Sequence, residues 1–236
     1  VLSGLSHPNT VSVFDYGEAD GYLYLAMEIL EGMSLDQALR RYRRFSVYDA
    51  IHIARQIAAS LTEAHQAGIV HRDIKPANIF LLHGEDGEYV VKVLDFGIAK
   101  RFGSDIDTQL TQAGTLVGTP RYMPPEQIRT ESVDQRTDIY SLGCVLYEMI
   151  AGRAPFLSEN VANLLIQHLK DSVPPLSRFV SPEELRHIPP SLDDALNRAL
   201  SKDPRMRQTS MAGFCRDLDV ALEEMDSKQR NGPATP

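Results

Sequence analysis

Four side chains near the middle of the chain have the types and spacing to act together. Asp73, Lys75 and Asn78 fall within one decapeptide, HRDIKPANIF (His71–Phe80), and Asp95 opens a DFG triplet a little further on. Two carboxylates and an amide are hard oxygen donors of the kind that Mg²⁺ takes. The lysine adds a cation that can neutralise charge on an anionic group in transfer. A third cluster, GTPRYMPPE (Gly118–Glu126), follows. Taken singly, each residue has a plainer reading, since a lone aspartate is ordinarily a cap or a surface group. The fixed order and intervals of the three clusters are what point to a site.

That order matches the sequence H-R-D-x-x-x-x-N, D-F-G, A-P-E, so the chain resembles a eukaryotic-type (Hanks-type) serine/threonine protein kinase. The segment DIYSLGCVLYEMIAGRAPF resembles the bacterial branch, and the likeness runs from Val1 to about Glu224. It implies an α+β, protein-kinase-like fold with a mostly helical large lobe and a truncated β small lobe. It implies transfer of the ATP γ-phosphate to Ser or Thr hydroxyls, with ATP and Mg²⁺ as cofactors. By the same resemblance Asp73 and Lys75 are catalytic: Asp73 orients the substrate hydroxyl, and Lys75, which marks the Ser/Thr class, sits by the γ-phosphate. Asn78 and Asp95 hold the metal. Met27 is the gatekeeper, Glu28 to Leu30 form the hinge, and Phe80 lies under the adenine. Arg72 receives the phosphate of a phosphorylated activation loop, for which Thr111 and Thr115 are the candidates, Thr108 less so. Support roles fall to His71, Phe96, Gly97 and Thr119, to Asp138 beneath the catalytic loop, and to a buried Glu126–Arg207 ion pair. Leu2, Val13, His71 and Phe96 would stack as a hydrophobic spine.

Two departures from the family pattern stand out. Pro124 replaces the alanine of A-P-E, which a helix start tolerates. The Gly-rich loop, the V-A-I-K lysine and the helix-C glutamate do not occur in these 236 residues. Leu2 to Asn9 reads as the end of helix C and the turn after it, which makes residues 1–30 a small-lobe remnant, 31–225 the large lobe and 226–236 a flexible tail. The chain also begins at Val1, as a fragment does, and on its own is expected to transfer phosphate weakly or not at all. Leu2, Leu5, Val11 and Val13 are then expected to be exposed. A pseudokinase-like binding or scaffold module is the alternative reading. A small-molecule kinase fits less well, because the segment from Asp95 to Glu126 resembles a peptide-binding shelf.

The elements that must position these residues follow from periodicity. Val11–Tyr16 and Tyr22–Met27 read as paired strands. Ser34 caps a helix reaching about Arg44, and a long helix spans Val47–Ala67, with Gly68 as its stop. Ile79–Leu82 and Tyr89–Leu94 read as a hairpin. Residues 100–125 read as a functional loop. Helices follow at Arg136–Ala151, Glu159–Lys170, Leu192–Ser201 and Ser210–Met225. Strands first and helices after is an α+β order.

Composition is globular, 43% hydrophobic and 24% charged, and the net charge of −8 argues against a nucleic-acid binder that works by bulk charge. Cys144 and Cys215 read as buried thiols in a reducing, cytoplasmic compartment. No run approaches a membrane span in this segment, although bacterial relatives often anchor such a domain. Protein substrates carrying Ser or Thr are the expected partners, and the resemblance allows a homodimer for autophosphorylation. Arg40, Arg41, Arg43 and Arg44 read as a solvated helix face. His7, His52, His65, His83, His168 and His187 lack metal-ligand spacing and read as solvated or capping.

Overall fold

The computed structural model of the chain describes residues 5–19, 22–84, 87–95 and 120–231. Helix α1 (Leu35–Tyr42) starts at Ser34, whose hydroxyl accepts from the Gln37 N–H while Gln37 bonds back to the cap, a reciprocal capping box. Helix α2 (Val47–Gln66) buries one continuous stripe from Ala50 to Ala64. Further helices are α3 (Pro125–Ile128), α4 (Gln135–Ala151), α5 (Val161–Lys170), α6 (Pro182–Leu185), α7 (Pro190–Ala199) and α8 (Met211–Asn231). Helix α4 is buried on nearly every side, which is why its sequence is apolar all round. It packs against α2, α7 and α8, and α2 also packs on α8.

Five strands are described. β1 (Val13–Ala19) and β2 (Tyr22–Met27) form an antiparallel hairpin. β3 (Gly32–Ser34), β4 (Ile79–His83) and β5 (Tyr89–Val93) form a second antiparallel sheet in that order. On β5, Val91 and Val93 are buried with Lys92 between them, the period-2 alternation of a strand whose one face meets the core. That face rests on α2. The other face carries Lys92, directly opposite Phe80 of β4.

The expected elements are present with shifted ends. β1 starts and ends later than Val11–Tyr16, and α4, α5 and α7 each begin one or two residues earlier or later than the periodicity placed them. β3, α3 and α6 lie outside the sequence reading, being too short to show a period. Helix α8 continues past Met225 to Asn231, so the first six positions of the expected tail are helical. Most residues from Glu223 to Arg230, namely Glu223, Glu224, Met225, Lys228, Gln229 and Arg230, are good helix formers. Exposure also differs. Val11 is buried and Leu5 packs on the core, whereas Phe14 (73%), Tyr22 (78%) and Ile29 (91%) are among the exposed apolar side chains. Of the two thiols, Cys144 is buried and Cys215 only half-buried.

His168 corrects the solvated reading of the histidines. It is wholly buried one turn after Leu164 on α5, with Nδ1 2.9 Å from the Tyr140 hydroxyl. Burial, and then the Lys202 charge, push its pKa down to about 4.

Two outcomes are expected. The unfolded chain takes up a proton at His168 near its ordinary pKa of 6.5, and the folded protein does so only near 4. Stability is therefore present above that ordinary value and is lost as pH falls through this window. Urea midpoints across the window should fall with pH in the wild type and fall less steeply in His168→Gln. A Cβ at Gly32 would lie 2.1 Å from the Leu81 carbonyl oxygen, which is backbone and cannot step aside. Gly32→Ala should therefore cost about 1–3 kcal/mol, read as a lower thermal midpoint.

Candidate active site

Helix α2 ends at Gln66, and Gly68 turns the chain with φ +74°. The chain then runs without regular secondary structure until Pro76 opens a single 3₁₀ turn, Pro76–Asn78, that leads into β4. This irregular stretch is held from below by one carboxylate. Asp138, in the first turn of α4, has no exposed surface. Its Oδ1 accepts the Arg72 N–H at 2.8 Å, and its Oδ2 accepts the His71 N–H at 2.9 Å. His65 Nε2 lies 2.8 Å from the same Oδ2. The Arg72 carbonyl accepts the Gln127 amide at 3.0 Å. Arg72 is thus pinned on both peptide faces, in a left-handed conformation (φ +65°) that a side chain adopts only under constraint.

His71 links this loop to the DFG strand. Its Nδ1 accepts the Asp73 N–H at 3.3 Å, so Nε2 carries the proton and donates to the Leu94 carbonyl at 2.7 Å. The Leu94 N–H donates to the Asn78 carbonyl at 2.9 Å. These bonds bring Asp95 alongside the loop, and Asp95 is exposed with φ +57°.

Asp73, Lys75 and Asn78 converge. Lys75 Nζ donates to Asp73 Oδ2 at 2.7 Å. The Asn78 amide nitrogen donates to the Asp73 carbonyl at 2.8 Å and to its Oδ2 at 3.0 Å. With its side-chain nitrogen so engaged, Asn78 Oδ1 is the atom left to meet a cation. The Asp73 side chain is 59% exposed, which leaves it open to a substrate.

The residues expected to form the hinge follow β2. Met27 is partly exposed, Glu28 and Leu30 are half-buried, and the Glu28 N–H donates to the Ser12 carbonyl at 3.0 Å. Phe80 is half-buried on β4, where its ring also meets the position of a Gly32 Cβ.

Glu126 and Arg207 form a buried bidentate pair at 2.7 and 2.8 Å. Thr137 Oγ1 donates to Glu126, and Arg207 also donates to the Ser201 and Arg136 carbonyls. Four of the five Arg207 N–H groups thus have acceptors, the compensation a buried charge requires.

Phe96, Gly97, Thr111, Thr115 and Thr119, with Thr108 and Leu2, lie outside the described residues. Sequence reasoning missed His65, Gln127 and the Leu94 carbonyl. His65, read as solvated, is instead a buried partner of Asp138. The signal for it was its place on the Ala58–Leu61 stripe of α2. Gln127 and Leu94 carry no local signal, because their partners are distant in sequence.

Comparison with known proteins identifies the family. A family model described as "Protein kinase domain" matches residues 1–217. Serine/threonine-protein kinase pkn3 of Myxococcus xanthus is 40% identical over 233 residues, covering 97% of this chain and 42% of that protein. Serine/threonine-protein kinase PknH of Mycobacterium tuberculosis is 38% identical over 227 residues, 96% of this chain and 34% of that protein. The solved PknI kinase domain of Mycobacterium tuberculosis superposes with a TM-score of 0.70 at 27% identity, covering 93% of this chain and 75% of that one. The chain belongs to the protein kinase domain family. It spans less than half the length of the curated relatives named here.

Glu126→Ala should destabilise the protein by about 3–5 kcal/mol, since it leaves the Arg207 charge buried and unpaired. The double replacement Glu126→Leu, Arg207→Met removes both charges and should be less destabilised than the single variant in equilibrium denaturation.

Proposed function

We propose that this chain is the phosphate-transferring part of a serine/threonine protein kinase. The observation that carries the reading is the convergence of Asp73, Lys75 and Asn78, to which Leu94, the residue before Asp95, is tied by its bonds with His71 and Asn78. Residues 1–30 then belong to the small lobe, 31–225 form the large lobe, and the C-terminal stretch follows.

The donor set fits Mg²⁺: the Asn78 amide oxygen and the Asp95 carboxylate are two hard oxygens, with phosphate and water supplying the rest. Bound there, the ion would neutralise phosphate charge. The Asp73 carboxylate orients the Ser or Thr hydroxyl and accepts its proton as the hydroxyl oxygen bonds to the γ-phosphorus and the β–γ bridging oxygen leaves. Lys75, already within hydrogen-bond reach of Asp73, neutralises the transferring group. The Glu28 N–H is engaged by Ser12, so the Glu28 carbonyl and the Leu30 backbone are the groups left for adenine, with Met27 and Phe80 against the ring.

In this reading Arg72 answers a phosphate on Thr111 or Thr115, placed there by a second copy of the protein, and the substrates are Ser- and Thr-bearing proteins of the cytoplasm. Intact Asp73, Lys75, Asn78 and Asp95 favour catalysis over a scaffold role, which needs none of them.

The test uses the full-length protein. Transfer of labelled phosphate from ATP to protein or peptide should give phosphoserine or phosphothreonine. Asp73→Asn should lower kcat by about 10²–10⁴ while nucleotide binding persists. Unchanged turnover in that variant would overturn the assignment, and nucleotide-independent partner binding with no transfer would favour the scaffold.

A further inference from the structure

Glu28 does more than lend its backbone to the hinge. Its carboxylate accepts the Ser12 N–H at 2.7 Å and the Lys92 ammonium at 2.8 Å. Its own N–H donates to the Ser12 carbonyl at 3.0 Å. Backbone and side chain of one residue therefore clasp the same neighbour, and Lys92 closes the clasp from β5. The Lys92 ammonium also lies 3.5 Å from the Thr10 carbonyl.

The neighbouring hinge side chains offer little packing. Ile29 is 91% exposed and Met27 is 44% exposed. With these two side chains so exposed, Glu28 ties this stretch to its neighbours through hydrogen bonds. Lys92 and Glu28 are themselves well covered, at 14% and 24% side-chain exposure, so the pair is screened less than a surface bridge. Burial would raise the Glu28 pKa, yet the bonds from Lys92 and Ser12 hold it below its ordinary value.

The other end of the clasp reaches the metal side of the site. Residues 9–11 run alongside β5, through Val11 N–H to the Val93 carbonyl at 3.0 Å and Val93 N–H to the Asn9 carbonyl at 2.8 Å. Asn9 Nδ2 adds a bond to the Val91 carbonyl at 2.9 Å. Two residues beyond Val93 stands Asp95. Lys92 also shares its face of the sheet with Phe80, its partner across the β4–β5 ladder.

We infer that the Glu28–Lys92 pair is a positioning tie, which fixes the hinge backbone and couples it to β5, the strand that leads to Asp95. It rests on the nucleotide site proposed above and adds Lys92 as a residue that sets nucleotide affinity without touching the reacting atoms.

The experiment compares full-length wild type, Lys92→Met and Lys92→Arg. Hydrogen exchange at Glu28–Leu30 and at 94–95 is read in the free protein, together with the affinity for a fluorescent ADP analogue, KM for ATP and kcat. Lys92→Met should speed exchange at both places and raise the analogue Kd and the ATP KM roughly three- to tenfold, with kcat within about twofold. Lys92→Arg keeps the charge and should restore most of the affinity. Unchanged hinge exchange in Lys92→Met overturns the tie, and so does faster exchange with unaltered nucleotide affinity. If the wild type binds no nucleotide, the kinase reading of the site fails, and the exchange result still decides whether the tie holds the hinge.

Discussion

A carboxylate buried without any exposed surface carries the site. Asp138 accepts the N–H groups of two successive residues, His71 and Arg72, and meets the His65 ring as well. A charge taken so far out of water is tolerable only when its lone pairs are met by donors in good geometry. This dependence works in both directions. The His71–Arg72 stretch supplies donors that α4 needs, and α4 supplies the fixed point that an irregular loop lacks. The left-handed Arg72 is held in place by this exchange, and Asp73 takes its position from Arg72.

From that fixed point order spreads through short, specific bonds. His71 receives the Asp73 N–H and passes its other ring nitrogen to Leu94. Leu94 returns a bond to Asn78. Residues supplied by a loop, a 3₁₀ turn and the end of a strand are thereby brought into one cluster. Each of these segments alone would sample many conformations. The large apolar body beneath, α2 against α4, α7 and α8, supplies the rigidity that lets so few polar bonds define geometry.

Ion pairs in this protein divide by burial. Glu126 with Arg207 is sealed and surrounded by further donors and acceptors, so its integrity is a condition of folding more than a source of net stability. Pairs such as Arg44–Glu184, with both side chains about 40% exposed, are screened and contribute little. Glu28–Lys92 lies between these limits, at a place where neighbouring side chains pack poorly.

Much of the molecule was legible from residue order. The Val47–Ala67 helix, the Ser34 cap and the Gly68 stop are legible, because helix formation is governed by contacts three and four residues apart. The candidate site residues were equally legible, as their motif is contiguous. What the sequence left open is long-range. His65 and His168 read as solvated until the packing of α2 against α4, and of α5 against Tyr140 and Phe156, enclosed them. Lys92 was an unremarked strand residue until the hinge came to lie beside it, with Glu28 64 positions away in the chain. Residue type and spacing by themselves determined which groups this protein brings to its chemistry and which segments are helix or strand. Only the tertiary structure decided which polar groups lose water and must find partners, because desolvation depends on what packs against a residue from elsewhere in the chain and not on its neighbours in sequence.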